Sequence, residues 1–308
     1  MKSKANKPRP LKKTAPLLLL AVPGLLYFFI NSYIPMFGIF IAFKEPNYAK
    51  GIFRSDWIGL DNFKFLFQTS DAWIMTRNTL LYNLAFIVFG TVLSIIIAIL
   101  MAELLSKVFT RAYLSGLVLP SLVSMVVLSL LVYAFLNADS GFVNTSILRP
   151  LGIPEVSWYS EPKYWPYLLV SIQLWKTAGY GSIIYFAAIS GIDKSIYEAA
   201  KIDGAGKLRQ IRTITLPLLK PTVIILALMS IGRIFNSDFG LFYQVPLNAG
   251  ALYSTTQTID TYVYRALMQL NDIGMSAAAG LYQSLVGFVL VVAVNAIVRK
   301  LSPDNALF

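Results

Sequence analysis

Six apolar stretches, each long enough to cross a bilayer, constrain this chain more than any other feature. They cover residues 17–43, 79–105, 112–136, 165–190, 222–242 and 277–298. A hydrocarbon core about 30 Å thick takes about 20 residues of helix at about 1.5 Å rise each. Every backbone amide in lipid must be bonded within its own segment, which makes such runs helices. The expected fold is an all-α integral membrane protein with six transmembrane helices. Composition agrees, with 56% apolar and 13% charged residues where soluble chains carry about 25% charged. The first run follows a basic start, as a signal peptide would. It is far longer than such a segment and continues through Tyr27, Phe28 and Phe29, so it reads as a helix bent by Pro23 and Pro35.

The polar segments supply the orientation. Residues 1–14 form a disordered-looking arm carrying Lys2, Lys4, Lys7, Arg9, Lys12 and Lys13 and no acid; residues 15–308 form one helical domain. Sixteen of the 26 Lys and Arg residues fall in this arm, the turn near Lys107 and Arg111, the 193–221 loop, and Arg299–Lys300. Eight lie in the three alternate loops (44–77, 137–164, 243–276), and two, Lys176 and Arg233, lie within spans. Basic segments stay on the cytoplasmic side, so both termini and the 193–221 loop are expected inside. The net charge of +11 is thus a topology signal and not a nucleic-acid footprint.

The 193–221 loop, DKSIYEAAKIDGAGKLRQIRTITLPLLKP, reads as helix, tight turn, helix. Ser195 and Glu198 have capping-box spacing. Gly204 suits the left-handed residue that ends the first helix. Leu208, Ile211 and Ile214 form one side of the second, which Pro217 and Pro221 are expected to close before the next span begins. Asp203 and Lys207 have the spacing of a solvated i,i+4 pair.

At these residues the chain resembles a family. Glu198-Ala199-Ala200, three residues, Gly204, nine residues, then Ile214-x-Leu216-Pro217 matches the EAA loop of permease subunits of ABC importers. The resemblance implies the type I importer permease (MetI-like) fold. It also implies that residues 195–217 dock on a separate cytoplasmic ATPase dimer, with Glu198, Ala199, Ala200, Asp203, Gly204, Ile214, Leu216 and Pro217 at the contact. Without that contact, Glu198 would only complete its own cap. The segments PLLLLAVPGLLYFFINSYIPMFGIFIAFKEPN, WIGLDNFKFLF and TIDTYVYRALM are similar to carbohydrate-importer permeases of the lipoprotein-associated LplB type. That branch implies a second, non-identical permease, a lipid-anchored extracellular binding protein and an oligosaccharide solute, in a bacterial cell membrane.

The chain is not expected to be an enzyme or to bind a cofactor. It has no Cys and no His, which removes thiol and imidazole chemistry and the usual zinc ligands. Gly204-Ala205-Gly206-Lys207 is not a P-loop, because Lys201 and Leu208 stand where the motif needs Gly and Ser or Thr. ATP and magnesium belong on the partner ATPase. Charges inside spans are costly and mark function by default. Gln173, Lys176, Arg233 and Asn236 are therefore candidates for a polar translocation path, the alternative being pairing within the bundle, with Asp238 the nearest partner for Arg233. Gly179, Gly181 and Ser182 suit close helix contact. A stand-alone ion-coupled carrier is the rival function, though such carriers commonly show internal repeats, and the two halves of this chain do not echo each other.

Overall fold

The computed structural model describes residues 11–47, 49–104 and 107–301. Most of the basic arm, residues 1–10, and the last seven residues lie outside the described residues. Helix is already present from residue 11, inside the segment expected to be an arm. Among the described residues the chain is all-helical, its only β feature being an isolated bridge between Lys44 and Trp57.

Helix α1 (Leu11–Phe28) passes into a π-turn (Phe29–Tyr33), a short helical turn (Ile34–Met36) and a 3₁₀ segment (Phe37–Phe43). The irregularity has a cause in Pro35. Lacking an N–H, it cannot bond back to residue 31, and the ladder shifts register just before it, with Ile34 N–H bonding Phe29 O. The same device recurs before Pro217, where Leu216 N–H bonds Ile211 O.

Helices α2 (Ser70–Ala102) and α5 (Trp165–Ser190) form the central packed pair. Between them in sequence lie α3 (Lys107–Leu122) and α4 (Met125–Leu136). These were expected to be one span, but the chain bends by 90° between them. Pro120 withdraws a donor from the end of α3. Ser124 then caps α4, its Oγ accepting from Val127 N–H at 3.3 Å.

After α5 come α6 (Lys194–Ile202), α7 (Leu216–Ile231), α8 (Ile259–Met268) and α9 (Ile273–Leu301). Two sequence expectations shift here. The helix containing α7 runs without interruption from Lys207 through the π-turn Ile211–Thr215, so Pro217, at the first turn of α7, and Pro221 lie inside it and do not close it. It stops at Ile231 and not near residue 242. Helix α2 starts nine residues before the expected 79, at Ser70.

Four helical stretches are long and apolar enough to cross a membrane: Leu19–Phe43, Ser70–Ala102, Lys207–Ile231 and Ile273–Lys300. The bent pair makes five if counted as one span. Helix α5 has the length, 26 residues, but Gln173, Lys176 and its glycines leave it less apolar than these.

The alternate loops pack together at one end of the bundle. Asn62 Nδ2 donates to Ala42 O and Lys44 O at 3.0 and 2.8 Å, tying the 44–69 segment to the end of the first span. Asn144 is fully buried; its Nδ2 donates to Ala138 O and Val156 O, both at 2.9 Å, and its Oδ1 accepts from Trp158 Nε1. Arg265 is buried across Tyr253, bonded to Gln257 Oε1 at 2.9 Å and Asn248 Oδ1 at 3.2 Å. Burial pulls its guanidinium below the usual arginine range. At the other end, Lys207 of the 193–221 loop pairs with Glu103 at the end of α2. The expected pairing of Lys207 with Asp203 is not made.

Candidate functional site: an exposed loop helix and a cavity between three helices

The first site is α6 with the turn that follows it. Asp193, and not Ser195, is its N-cap: Asp193 Oδ1 accepts from Ser195 N–H at 2.9 Å. The expected Ser195–Glu198 capping box is therefore absent. Bonding to that amide holds the Asp193 carboxyl below the usual carboxylate range. A carboxylate with a lowered folded-state pKa stabilises the helix above its ordinary titration range near 3.8, and that support is lost as pH falls through the folded value. At the other end, Gly204 takes φ of 76°, as expected of a left-handed stop. Ala205 N–H reaches back to Ala200 O at 2.8 Å and Gly204 N–H to Lys201 O at 3.0 Å, which is a Schellman closure.

Two bonds fix this element to the bundle. Tyr197 Oη meets Thr215 Oγ1 at 2.9 Å, and buried Gln210 donates from Nε2 to Ala205 O at 2.7 Å. The opposite side stays open. Glu198, Ala199, Asp203, Gly204, Leu216 and Pro217 are exposed, while Ala200 and Ile214 are half-buried. Ile202 is 87% exposed, an unusual outlay for a large aliphatic side chain. Glu198, released from the cap, has no hydrogen-bond or ion-pair partner among the described residues. The element is rigidly held and bare where the motif residues lie.

The second site is a cavity of about 530 Å³ between α2, α5 and the end of α7. Each helix contributes a stripe at helical spacing. Asn83, Ile87, Gly90, Thr91 and Ser94 come from α2, and Gln173, Thr177, Tyr180, Gly181 and Ile184 from α5. Leu226, Met229 and Ser230 come from α7, followed by Arg233 and Asn236 just beyond it. Three of the four path candidates, Gln173, Arg233 and Asn236, are thus brought together. The α2 stripe was missed, although its small and polar residues Asn83, Gly90, Thr91 and Ser94, at i, i+7, i+8 and i+11, were readable in the sequence.

Lys176 is not in this group. It lies on the neighbouring face of α5, and its ammonium donates to Val123 O and, at 3.3 Å, to Ser121 O. These carbonyls lie at the broken end of α3, where a cation also faces the negative end of the helix dipole. Lys176 therefore closes the elbow between α3 and α4. Arg233 is not in a helix at all, since α7 ends two residues earlier. Nor does it pair with Asp238, whose Oδ1 accepts from Leu241 N–H at 3.1 Å.

The small-residue contacts follow the expectation. At Gly179, a Cβ would lie 1.8 Å from Leu117 O, so only glycine lets α5 approach the α3 backbone this closely. Gly181 abuts Ser94 of α2, and Ser182 is fully buried.

With this geometry in hand, residues 90–303 match the family described as binding-protein-dependent transport system inner membrane component. The chain belongs to this family. Among its relatives, Protein LplB of Bacillus subtilis (strain 168) is 33% identical over 295 residues, covering 96% of this chain and 92% of that protein. The polygalacturonan/rhamnogalacturonan transport system permease protein YteP of the same organism is 33% identical over 290 residues, covering 94% and 89%. A chain of a bacterial ABC transporter that imports the acidic polysaccharide alginate superposes with a TM-score of 0.85 at 32% identity, covering 95% of this chain and 98% of that one. A bacterial alginate ABC transporter solved with its pentasaccharide-bound periplasmic protein gives 0.84 at 30% identity, covering 95% and 96%. The chain is a permease component of a carbohydrate ABC importer, and the ion-coupled carrier is set aside.

Proposed function

We propose that this permease spans the membrane six times with both termini cytoplasmic, and that it pairs with a second, non-identical permease above an ATPase dimer. In this reading α5 supplies the sixth span. An extracellular, lipid-anchored binding protein delivers an oligosaccharide to the end formed by the loops around Asn62, Asn144 and Arg265. ATP and magnesium act on the ATPase, and this chain holds neither. The observation that carries the reading is the bare face of α6. A helix capped at both ends and pinned by Tyr197 and Gln210 leaves Glu198 unpartnered and Ile202 in solvent, as a surface that another subunit covers would. The lysines and arginines of the segments at that end support a cytoplasmic placement.

Transport then follows from rigid motion. Because Lys207–Ile231 is one helix, and α6 is bonded to it through Thr215, a displacement of α6 is passed directly to the wall of the cavity that ends at Arg233. ATP and the loaded binding protein drive the change only by favouring one state over the other.

Glu198→Lys tests this. Transport and binding-protein-stimulated ATP hydrolysis are expected to be abolished while membrane insertion and thermal stability stay unchanged. Retained transport would remove Glu198 from the docking contact. Isolation from native membranes in mild detergent is expected to recover one ATPase and one further permease; recovery of the chain alone would overturn the assembly.

A further inference from the structure

The cavity between α2, α5 and α7 contains one charged residue, Arg233, and no acid. Asp238, two residues from Asn236, and Asp260, which shares the Gln283 amide with Asn236, are both engaged in the fold. Asp238 accepts from Leu241 N–H. Asp260 accepts from Ser237 N–H and Oγ–H, both at 2.7 Å, and from Gln283 Nε2 at 3.2 Å. The Arg233 side chain has no hydrogen bond or ion pair among the described residues. Gln173, on the facing helix, has a buried Oε1 that likewise lacks a partner. Asn236 spends its Oδ1 on Gln283 Nε2 at 3.0 Å, which leaves its amide N–H groups to donate.

Arg233 is exposed and lines the cavity, and a path for neutral sugars does not need a guanidinium there, because amides and hydroxyls can serve hydroxyl groups. A guanidinium differs from them in presenting a planar fork that matches a carboxylate with two parallel hydrogen bonds. Lys176 shows how this fold treats a cation that serves structure: it is given carbonyls. Arg233 is given a cavity. We propose that this cavity is a subsite for a carboxylate-bearing sugar, a uronate. Its carboxylate pairs with Arg233, its hydroxyls bond Gln173 Oε1 and the Asn236 amide, and Tyr180 offers a ring face to its C–H side. The volume lies within the range of about 300–1,000 Å³ usual for small-molecule sites. The proposal rests on the carbohydrate-importer reading and assigns that importer an acidic solute.

The test uses the assembled importer in proteoliposomes with its binding protein, supplied with tri-galacturonate or with neutral galactotriose. Wild type is expected to take up the uronate. Arg233→Gln is expected to lower that uptake by at least about tenfold, while subunit assembly persists. Arg233→Lys, which keeps the charge and loses the fork, should fall between them and guards against a folding effect. Uronate uptake by Arg233→Gln at the wild-type rate would overturn the proposal. So would uptake of galactotriose alone, equal in wild type and variant, with the importer reading still standing. Failure of both sugars together with failure to recover an ATPase would overturn the importer reading itself.

Discussion

Two faces of α5 meet their neighbours in different ways. Toward α3, the helix presents Lys176 and Gly179, and every polar group there is answered: the ammonium by the carbonyls of Ser121 and Val123, the glycine by the backbone at Leu117. Toward α2 and α7, it presents Gln173, Thr177, Tyr180 and Gly181, and these surround an open space with an unanswered carbonyl oxygen and a lone guanidinium opposite. Both faces carry polar residues that sequence reasoning groups together as costly. The proposed uronate subsite rests on this contrast: Lys176 has fixed partners in the fold, and Arg233 faces a space that a solute would fill.

The comparison is broken most directly at Gly179. A methyl group there would sit 1.8 Å from Leu117 O, a backbone atom that cannot rotate away, so α3 and α5 must separate. Gly179→Ala is expected to cost about 3 kcal/mol or more, the upper end for overpacking. In detergent this appears as loss of folded protein or a large fall in thermal midpoint. A wild-type midpoint would mean that the two helices are not held at this distance. Lys176→Met comes next. It keeps the length of the side chain and removes the donors, leaving the carbonyls of Ser121 and Val123 without a partner at about 1–3 kcal/mol. Stability should fall, while the preference between charged and neutral sugars should match wild type. A changed preference would return Lys176 to the translocation path.

The sequence was most informative where a physical demand is periodic or local. Length and apolarity located the long helices but missed some ends by nine to eleven residues, at Ser70 and Ile231, and Gly204 was legible as a left-handed stop because little else fits there. The loop motif was legible because Glu198, Ala199, Ala200 and Gly204 sit at fixed spacing. Breaks set by competition between neighbours were harder to read. Ser195 and Glu198 fit a capping box, yet Asp193 lies two residues earlier and its short carboxylate reaches the free amide first. Pro217 and Pro221 look like terminators, but a π-turn ahead of Pro217 lets the ladder pass. Partners distant in sequence were not readable at all. Lys176 lies 53 residues from Val123, and the choice between that carbonyl and the cavity depends on a 90° elbow that Pro120 and Ser124 hint at only once it is known to exist.

The smallest effect is expected on the cavity face, two residues from the largest. At Gly181 a Cβ would lie 2.7 Å from Ser94 Oγ, again closer than van der Waals contact allows. Here, however, the obstacle is the end of a side chain. Ser94 Oγ donates to Ala178 O at 3.2 Å, and a turn about its first torsion removes the clash at the loss of that one bond, about 1 kcal/mol. Gly181→Ala should therefore fold and assemble, with a modest fall in thermal midpoint. Because Gly181 lines the cavity, the added methyl should also weaken solute uptake slightly. If Gly181→Ala were as damaging as Gly179→Ala, the two faces of α5 would be equally tight, and the space between α2, α5 and α7 would be a flaw in packing with no room for a solute.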